Sequence, residues 1–531
     1  MEPDSAKACV EIVEKIKSGK IATRAELERE KISISRKYSL GKLLKNSELI
    51  SAADDAAVAK FLKTKPVRTL SGVANIAVMW LGDVAGDVNF SCPFHCVFCP
   101  QGKHAISDTI VSVPKSYTGT EPTTMRAMRN RFDPCMQVRS RLKQFHLLGH
   151  KTDKCELIIM GGTFMAWSKQ KRDDFILQCF NAFNQREADS IEESHMINEG
   201  AQRRVVGLTI ETRADYCSDS QIKEMLSYGC TRAEVGVQST SELLLERMKR
   251  GHGAEANKEA FAKLREAGLK VCAHWMPGLT GLVKKDMDQE IESFAELFDD
   301  PAYRPDELKI YPTLVVPGTE LHEMWSSGKY EPLTYEEGTE LLARIKVIVP
   351  PYVRIKRIMR DISEHEAVAG ARKTNLRQLL REEMTRKGLQ CRCIRCREVG
   401  LSRKKAGNAE MLAKKYEASS GIEHFLSFED VKNDLLVAFL RLRIDQSDAA
   451  KIRELHVYGQ MVPLDDGASP ADFQHRGFGK ALMQKAEEIA EESGKKSVHV
   501  TSGVGVRGYY KKLGYSPQHH YMVKNLDETK L

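Results

Sequence analysis

The sequence predicts an α/β protein with three parts: a helical N-terminal arm, a complete or partial βα barrel, and a smaller C-terminal α/β domain. Three observations predict this order. Short apolar strands alternate with helical stretches from about residue 73, the alternation fades between 362 and about 405, and strands and a helix return after that. The length of 531 residues agrees with several domains, because it exceeds what one hydrophobic core usually supports.

The first part, residues 1–72, is predicted to be helical and basic. Residues 8 to about 63 form short amphipathic stretches broken at Gly19 and Gly41. Residues 15–45 carry ten Lys or Arg against three Glu, a balance that suits a polyanion. A solvated helix face would produce the same pattern, so both interpretations stay open at this point.

The second part, residues 73–361, is predicted to be the barrel. After "VANIAVMW", six strand segments follow in order: "CELIIMGG", "RVVGLTIET", "TRAEVGVQS", "KVCAHWMPG", "ELKIYPTLVV" and "YVRIKRIMR". Six or seven βα units favour an open or closed barrel over a flat doubly wound sheet. In such folds the chemistry gathers at the carboxyl ends of the strands.

Three cysteines with the spacing C-x3-C-x2-C follow the first strand, in "CPFHCVFCP". Cys92, Cys96 and Cys99 can ligate three irons of a [4Fe-4S] cluster and leave the fourth iron without a protein thiolate. Zinc is the alternative, but a closed zinc site needs four ligands, for which His95 is the nearby candidate. The thirteen cysteines, six of them in two tight clusters, favour reduced thiols and metal ligation over disulfides.

The triplet and the strand ends behind it resemble the radical S-adenosylmethionine (SAM) enzymes. In that family the open iron binds SAM, and an electron from the cluster cleaves SAM to a 5′-deoxyadenosyl radical. "MGGT" resembles the contacts to the methionine amine, and "IETR" and "EVGVQS" resemble those to the ribose and carboxylate. The resemblance therefore implies that SAM binds to Gly161, Gly162, Thr163, Glu211, Arg213, Glu234 and Gln238. Each turn by itself is also typical of an ordinary strand-to-helix connection.

Residues 362–405 are predicted to be a basic linker that holds a second cysteine cluster. "CRCIRC" provides Cys391, Cys393 and Cys396, and residues 354–405 carry sixteen Lys or Arg against six acidic residues. A structural zinc site is favoured here over a second iron–sulfur cluster, with its fourth ligand undetermined.

The last part, residues 406–531, contains "QHRGFG" at the start of a predicted helix. Glycines in such a turn let backbone N–H groups point at a phosphate near a helix N-terminus. With "GVGVRGYYKKLGY" downstream, the segment resembles the Gcn5-related N-acetyltransferase fold. The resemblance implies an acetyl-CoA cradle and a tyrosine that protonates the leaving thiolate, or else packs in the core. The cradle residues are Gln474, His475, Arg476, Gly477, Phe478 and Gly479, and the tyrosines are Tyr509 and Tyr510, of which Tyr510 also counts as a cofactor contact.

Together the motifs resemble the catalytic-subunit family of Elongator, the tRNA wobble-uridine carboxymethylating enzymes, over roughly residues 70–525. This resemblance implies a [4Fe-4S] cluster, SAM and acetyl-CoA acting on C5 of the wobble uridine in the tRNA anticodon stem-loop. The radical would remove hydrogen from the acetyl methyl group, and the carbon radical would add to C5. Compact cysteine spacing and the second cluster resemble stand-alone archaeal or bacterial members, so other Elongator subunits are not expected.

Two alternative functions remain. A protein lysine acetyltransferase would use the iron–sulfur domain only structurally, and a methyl- or methylthio-transferring tRNA enzyme would not need acetyl-CoA. The sequence also predicts an external electron donor, allows a homodimer, and favours a cytoplasmic location, since no apolar run approaches the length of a membrane span.

Overall fold

The structure of the protein is a computed structural model. The residues that it describes are 3–53, 55–64, 66–81, 92–100, 102–106, 109–373, 375–402, 407–458 and 477–526. The N-terminal arm is a small helical domain with its own apolar core. A capping box at Thr23 and Glu26 starts its second helix. Its helices are α1 (Pro3–Lys17), α2 (Arg24–Lys37), α3 (Asn46–Ala53) and α4 (Ala56–Leu62).

Seven parallel strands form the central sheet, and they are adjacent in chain order. No pairing joins the first strand to the last within the described residues, so the sheet is an open, partial barrel. The strands are β1 (Ala74–Met79), β4 (Lys154–Met160), β5 (Arg204–Thr212), β6 (Arg232–Gln238), β7 (Lys270–Trp275), β8 (Glu307–Ile310) and β9 (Arg354–Ile358). A two-stranded hairpin, β2 (Lys103–Ile106) and β3 (Thr109–Ser112), lies between β1 and β4 in the sequence.

Helices connect the strands and cover the outside of the sheet. Strand residues such as Leu157, Leu208 and Leu308 are fully buried against them, which gives the barrel its hydrophobic core. The connecting helices are α5 (Pro122–Arg129), α6 (Pro134–Leu147), α7 (Lys169–Asn184), α8 (Ile191–Glu199), α9 (Asp219–Ser227), α10 (Glu242–Arg247), α11 (Ala254–Glu266), α12 (Met287–Asp299), α13 (Glu320–Ser326) and α14 (Tyr335–Ile348).

The region predicted to be a linker contains two helices, α15 (Leu376–Arg386) and α16 (Ile394–Arg397). Cys393 and Ile394 are fully buried and belong to the same core as the barrel strands. The Ile394 N–H donates to the Val353 carbonyl at 2.9 Å, just before β9. This segment therefore packs against the barrel instead of spanning an open gap.

The C-terminal domain has a mixed seven-stranded sheet. β13 and β14 pair in parallel, whereas its other strand pairs are antiparallel. Its elements are β10 (Glu410–Ala418), β11 (Gly421–Asp430), β12 (Leu435–Ile444), β13 (Ala449–Val457), α17 (Phe478–Glu492), β14 (Ser497–Val500), α18 (Arg507–Lys511), β15 (Ser516–Gln518) and β16 (Tyr521–Asn525).

Buried charges join the C-terminal domain to the amino ends of the barrel strands. Asp306, directly before β8, accepts from both terminal nitrogens of Arg453 on β13. Arg441 on β12 adds hydrogen bonds to the backbone carbonyls of Asp306 and Tyr352. The two domains thus form one packed body. None of the helices in the described parts of the chain is both long and apolar enough to cross a bilayer.

Candidate active site

The cysteine triplet lies over the carboxyl ends of the barrel strands. Cys96 and Cys99 are buried and Cys92 is half-buried. Backbone contacts fix this loop: the Val97 N–H donates to the carbonyl of Met248 at 3.0 Å. The ammonium of Lys115 donates to the carbonyls of Cys92 and Phe94 at 3.0 and 2.6 Å. The three thiols therefore face one cavity at the end of the barrel where the chemistry was predicted.

The two cysteine clusters differ in their spread. Among the described residues, the sulfurs of Cys391, Cys393 and Cys396 lie within 4.8 Å of one another, as sulfurs around one tetrahedral metal ion would. Those of Cys92, Cys96 and Cys99 do not form such a group. A wider triplet suits ligands to separate irons of one cluster, so this donor set fits a [4Fe-4S] cluster better than zinc.

Two arginines lie beside the triplet. Arg250 donates to the Cys96 sulfur at 3.7 Å and to the Gly236 carbonyl at 2.5 Å. Arg213 stacks on the ring of Phe94, with its guanidinium carbon 3.9 Å from the ring centroid. Both guanidiniums are buried beside thiols that must be anionic to bind iron. This positive surrounding would stabilise the charge of a bound cluster.

The predicted Gly161–Gly162 turn follows β4 at the rim of the same cavity. Both glycines have positive φ, +127° and +86°. A Cβ on Gly161 would lie 2.7 Å from the indole nitrogen of Trp80, so only glycine fits there. Thr163 is buried and lines the cavity. Glu211 accepts a hydrogen bond from the Gly161 N–H at 3.2 Å, and so holds the turn in place.

A buried charge cluster forms the floor of this cavity. Glu234 is ion-paired with Lys309 and lies 3.6 Å from Nε2 of His274. Although burial alone would raise the pKa of Glu234, the charge of Lys309 and the contact with His274 hold it well below its usual value. Gln238 is buried, has φ of +70°, and also lines the cavity. The predicted SAM contacts thus meet in one place.

The second cluster lies at the start of α16: Cys391 precedes the helix, Cys393 is its N-cap residue and Cys396 is inside it. Cys391 and Cys393 are buried and Cys396 is exposed. Thiol hydrogen bonds from its two neighbours hold the pKa of Cys393 well below its usual value. The described residues place no fourth His, Cys, Asp or Glu ligand in this group. The arrangement is a cysteine cluster able to bind a metal ion.

A second cavity, of about 570 Å³, lies between the C-terminal domain and the amino ends of the barrel strands. Gly477, Phe478 and Gly479 line it at the start of α17. Gly477 has φ of +83°, and nothing lies within 4 Å of where its Cβ would be. The other predicted cradle residues, Gln474, His475 and Arg476, lie outside the described residues.

The two tyrosines of α18 differ in their surroundings. Tyr509 is half-buried, and its hydroxyl lies 2.9 Å from where a Cβ on Gly479 would be. Tyr510 is buried in the core of the domain, where its ring packs edge-on against Tyr515. Burial raises the pKa of both hydroxyls above the usual value. Tyr509 therefore presents its hydroxyl to the glycine turn, and Tyr510 lines the same cavity from the core.

Four family models match most of the chain. Residues 88–294 match the radical SAM superfamily and 305–386 the radical SAM C-terminal domain. Residues 5–70 match the ELP3 N-terminal domain, and 397–515 the acetyltransferase (GNAT) family. Fold and site thus define a radical SAM enzyme joined to a GNAT acyltransferase.

Relatives that match nearly the whole chain identify its family more specifically. A protein of Methanocaldococcus infernus named tRNA uridine(34) acetyltransferase is 44% identical, covering 97% of this chain and 98% of the relative. Elongator complex protein 3 of Homo sapiens is 42% identical over 94% and 93%. The solved structure of the archaeal M. infernus Elp3 with an N-terminal deletion has a TM-score of 0.74, at 42% identity, covering 86% of this chain and all of that one. The chain belongs to the Elp3 family.

The sequence prediction missed several residues of the site. Arg250, Lys309 and His274 all contact predicted residues, but none was itself predicted as a contact, although His274 and Lys309 lie in the quoted strand segments "KVCAHWMPG" and "ELKIYPTLVV". A signal was present: on β6, β7 and β8 every second residue is polar, as in "RAEVGVQ", "KVCAH" and "ELK". In a barrel covered by helices, such an alternation indicates a polar interior.

Proposed function

We propose that this protein modifies C5 of the wobble uridine in the tRNA anticodon stem-loop, with SAM and acetyl-CoA as co-substrates. The observation that carries the proposal is the position of the two cavities: one with the cysteine triplet and one with the glycine turn of α17, at opposite ends of a single barrel. The names of the archaeal relatives, which specify uridine 34 of tRNA, support the substrate.

In this proposal each part of the first cavity has a role. Cys92, Cys96 and Cys99 would hold the cluster, and the Gly161–Gly162 turn would receive SAM by close backbone approach. With cluster and SAM bound, the site supplies a 5′-deoxyadenosyl radical. Arg213 and Arg250 would stabilise the negative charge of the cluster and its thiolates, because both guanidiniums are buried beside the triplet.

In the second cavity, backbone N–H groups at the start of α17 would bind the CoA pyrophosphate. Tyr509 would donate its proton to the CoA thiolate as the acetyl thioester breaks, since its hydroxyl faces the glycine turn. Tyr510 would support the helix from the core. After the carbon radical adds, uridine would lose its C5 hydrogen as a proton together with one electron, which would return to the iron–sulfur cluster. Water would hydrolyse the thioester, so that the product carries a carboxymethyl group on C5 and CoA leaves as the free thiol.

The helical arm would bind the RNA backbone. Several of its cations are paired internally, such as Lys15 with Glu30 at 2.8 Å and Lys37 with Glu11 at 2.7 Å. Lys20, Arg36 and Lys45 are exposed, and no ion pair engages them within the described residues. Reversing these three charges should weaken tRNA binding at least tenfold and lower its salt slope by about 2 to 3. An unchanged affinity and slope would contradict a role of the arm.

The proposal also covers the second cysteine cluster, the electron donor and the oligomeric state. The cysteines of the second cluster would hold structural zinc with a fourth ligand from outside the described residues. An external donor would reduce the iron–sulfur cluster in the cytoplasm. The enzyme would act as a homodimer or alone, without other Elongator subunits.

One experiment decides between this function and its main alternative. Anaerobically reconstituted protein is incubated with SAM, acetyl-CoA, reductant and either tRNA or basic peptides, and the products are analysed by mass spectrometry. A uridine that gains a two-carbon unit supports the proposal. Acetyl-lysine without a modified uridine would instead identify a protein acetyltransferase, and a modified uridine formed without acetyl-CoA would indicate a methyl- or methylthio-transferring enzyme.

A further inference from the structure

The interior of the barrel is lined with charge, where most barrels are filled with branched apolar side chains. The inward positions of five neighbouring strands carry ionisable groups, while the alternate positions pack under the outer helices. The inward ionisable residues are Glu156 on β4, Glu211 on β5, Arg232 and Glu234 on β6, Lys270, Cys272 and His274 on β7, and Glu307 and Lys309 on β8.

This interior separates the two cavities by a single layer of side chains. On β6, Glu234 lines the cavity of the cysteine triplet, and Arg232 lines the cavity beside α17. These two residues are about 7 Å apart along the strand, given the rise of a parallel strand. On β7 the residues that line the two cavities are His274 and Lys270, about 13 Å apart along the strand, with Cys272 between them. The two cavities are thus close neighbours through the barrel.

Ion pairs fill the layer, but they leave a buried carboxylate oxygen without a hydrogen bond. Arg232 lies 3.3 Å from Glu307, and Lys356 lies 3.5 Å from the same carboxylate. Among the described residues, Oε1 of Glu234 has no hydrogen-bond partner, although Glu234 is only 1% exposed and the Arg232 nitrogen nearest to this oxygen is 3.9 Å away. Buried polar atoms of this kind are normally satisfied by water or a ligand. The layer therefore has the chemistry of a hydrated passage.

We propose that the barrel interior is the passage by which the acetyl group travels from the cavity beside α17 to the cavity of the cysteine triplet. The proposal rests on the function proposed above, in which a group held as a thioester in one cavity must meet a radical formed in the other. An acetyl group has three non-hydrogen atoms, small enough to pass side chains that are held by ion pairs and not by close apolar packing.

The acetyl group could enter as the end of the intact thioester or as free acetate. In both cases the polar wall offers Arg232 and Lys356 to its carbonyl or carboxylate oxygen. Using acetyl-CoA or acetate labelled in the acetyl group, in separate incubations, distinguishes the two sources. Label from acetate in the product identifies the free acid, and label from acetyl-CoA alone identifies the thioester.

Cys272 allows the passage to be blocked. It is fully buried, faces the layer between Glu234 and Glu307 in strand register, and belongs to neither predicted binding site. C272F would fill the layer, and C272S would leave it open. Gly207 lines the cavity beside α17, at the other end of the layer. A Cβ added there would lie 3.3 Å from the Thr231 hydroxyl. G207L therefore provides a second, independent block, and G207A is its control.

Three rates are measured on each full-length, reconstituted variant: tRNA-dependent breakdown of acetyl-CoA, formation of 5′-deoxyadenosine from SAM, and formation of modified uridine. We expect C272F to keep the first two rates within threefold of wild type, and G207L to keep formation of 5′-deoxyadenosine within threefold. Both variants should form modified uridine at least tenfold more slowly than wild type, while C272S and G207A keep all three rates. Folding is checked by circular dichroism and by iron content.

Two results would overturn the passage. One is modified uridine formed within threefold of wild type by folded C272F and G207L. The other is loss of a partial reaction in both blocked variants, because the layer would then be part of a binding site and not a path between two. If wild-type protein itself forms no modified uridine, the proposed function fails instead, and the two failures are distinguishable.

Discussion

Asp306 and Arg453 form a bidentate ion pair between the barrel and the C-terminal domain, with N–O distances of 2.7 and 2.6 Å. Both side chains are completely buried. The adjacent arginines, led by Arg453, outweigh the effect of burial and hold the pKa of Asp306 well below its usual value. Two guanidinium nitrogens thus connect the barrel directly to the acetyltransferase sheet.

We expect D306N to destabilise the protein by about 3 to 5 kcal/mol, because it leaves the Arg453 charge buried without its partner. Thermal unfolding followed by calorimetry measures the change. The matched control is E488Q, which removes an exposed pair with Lys485 and should destabilise the protein far less, because solvent screens exposed charges. Equal losses in the two variants would show that the buried pair contributes little.

G161A should lower SAM affinity at least tenfold while leaving the iron content unchanged. Its Cβ would collide with Trp80, and its φ of +127° is unfavourable for alanine. Equilibrium binding of SAM to reconstituted protein measures the effect. The control is G200A, where nothing lies within 4 Å of the new Cβ. If G161A bound SAM with wild-type affinity, the Gly161–Gly162 turn would not be part of the SAM site.

C92S should abolish the charge-transfer absorption of the cluster and SAM cleavage, while acetyl-CoA still binds. The reason is that two thiolates cannot hold a cluster that needs three. C135S, which changes a half-buried cysteine outside both clusters, should keep the spectrum. Absorption spectra and iron analysis of both variants test this prediction. A full cluster in C92S would show that Cys92 is not a cluster ligand.

Y509F should slow acetyl-CoA breakdown about 10²-fold or more, because the leaving thiolate loses its proton donor. Y510F should leave this rate within threefold, since Tyr510 is in the core. Both rates are measured in the presence of tRNA by release of free CoA thiol. The reverse order of effects would assign the acid to Tyr510.

The stability contributed by Lys356 should rise with pH. Burial and the nearby charge of Arg232 lower its pKa from 10.5 to about 8 in the folded protein. Between pH 8 and 10.5 the unfolded chain therefore binds more protons at this residue, so the free energy of unfolding increases with pH. Compared with K356M, wild type should gain about 2 to 3 kcal/mol between pH 7.5 and 10 in denaturant titrations. If the free energies of unfolding of wild type and K356M changed equally with pH, the lowered pKa of Lys356 would be contradicted.

The sequence alone predicts the architecture because its signals are local. Strand alternation, the cysteine triplet and the glycine turns are each readable within about ten residues, and the fold confirms the partial barrel, the C-terminal α/β domain and the helical arm.

Long-range pairings leave no such local signal. The contact between Arg250 and Cys96 spans 154 residues, and that between Arg453 and Asp306 spans 147. The position of the second cysteine cluster against the barrel likewise depends on packing that composition does not encode, since a basic stretch of this kind is equally typical of an open linker.

The pairing of Asp306 with Arg453 also has a consequence for synthesis on the ribosome. The barrel strands emerge first, but the two arginines that contact the Asp306 carboxylate, Arg441 and Arg453, follow more than a hundred residues later. Until β12 and β13 have left the exit tunnel, Asp306 at the base of the nascent barrel lacks both of these partners. The barrel should therefore reach its final stability only near the end of translation, and ribosome-bound chains truncated before residue 441 should remain sensitive to protease.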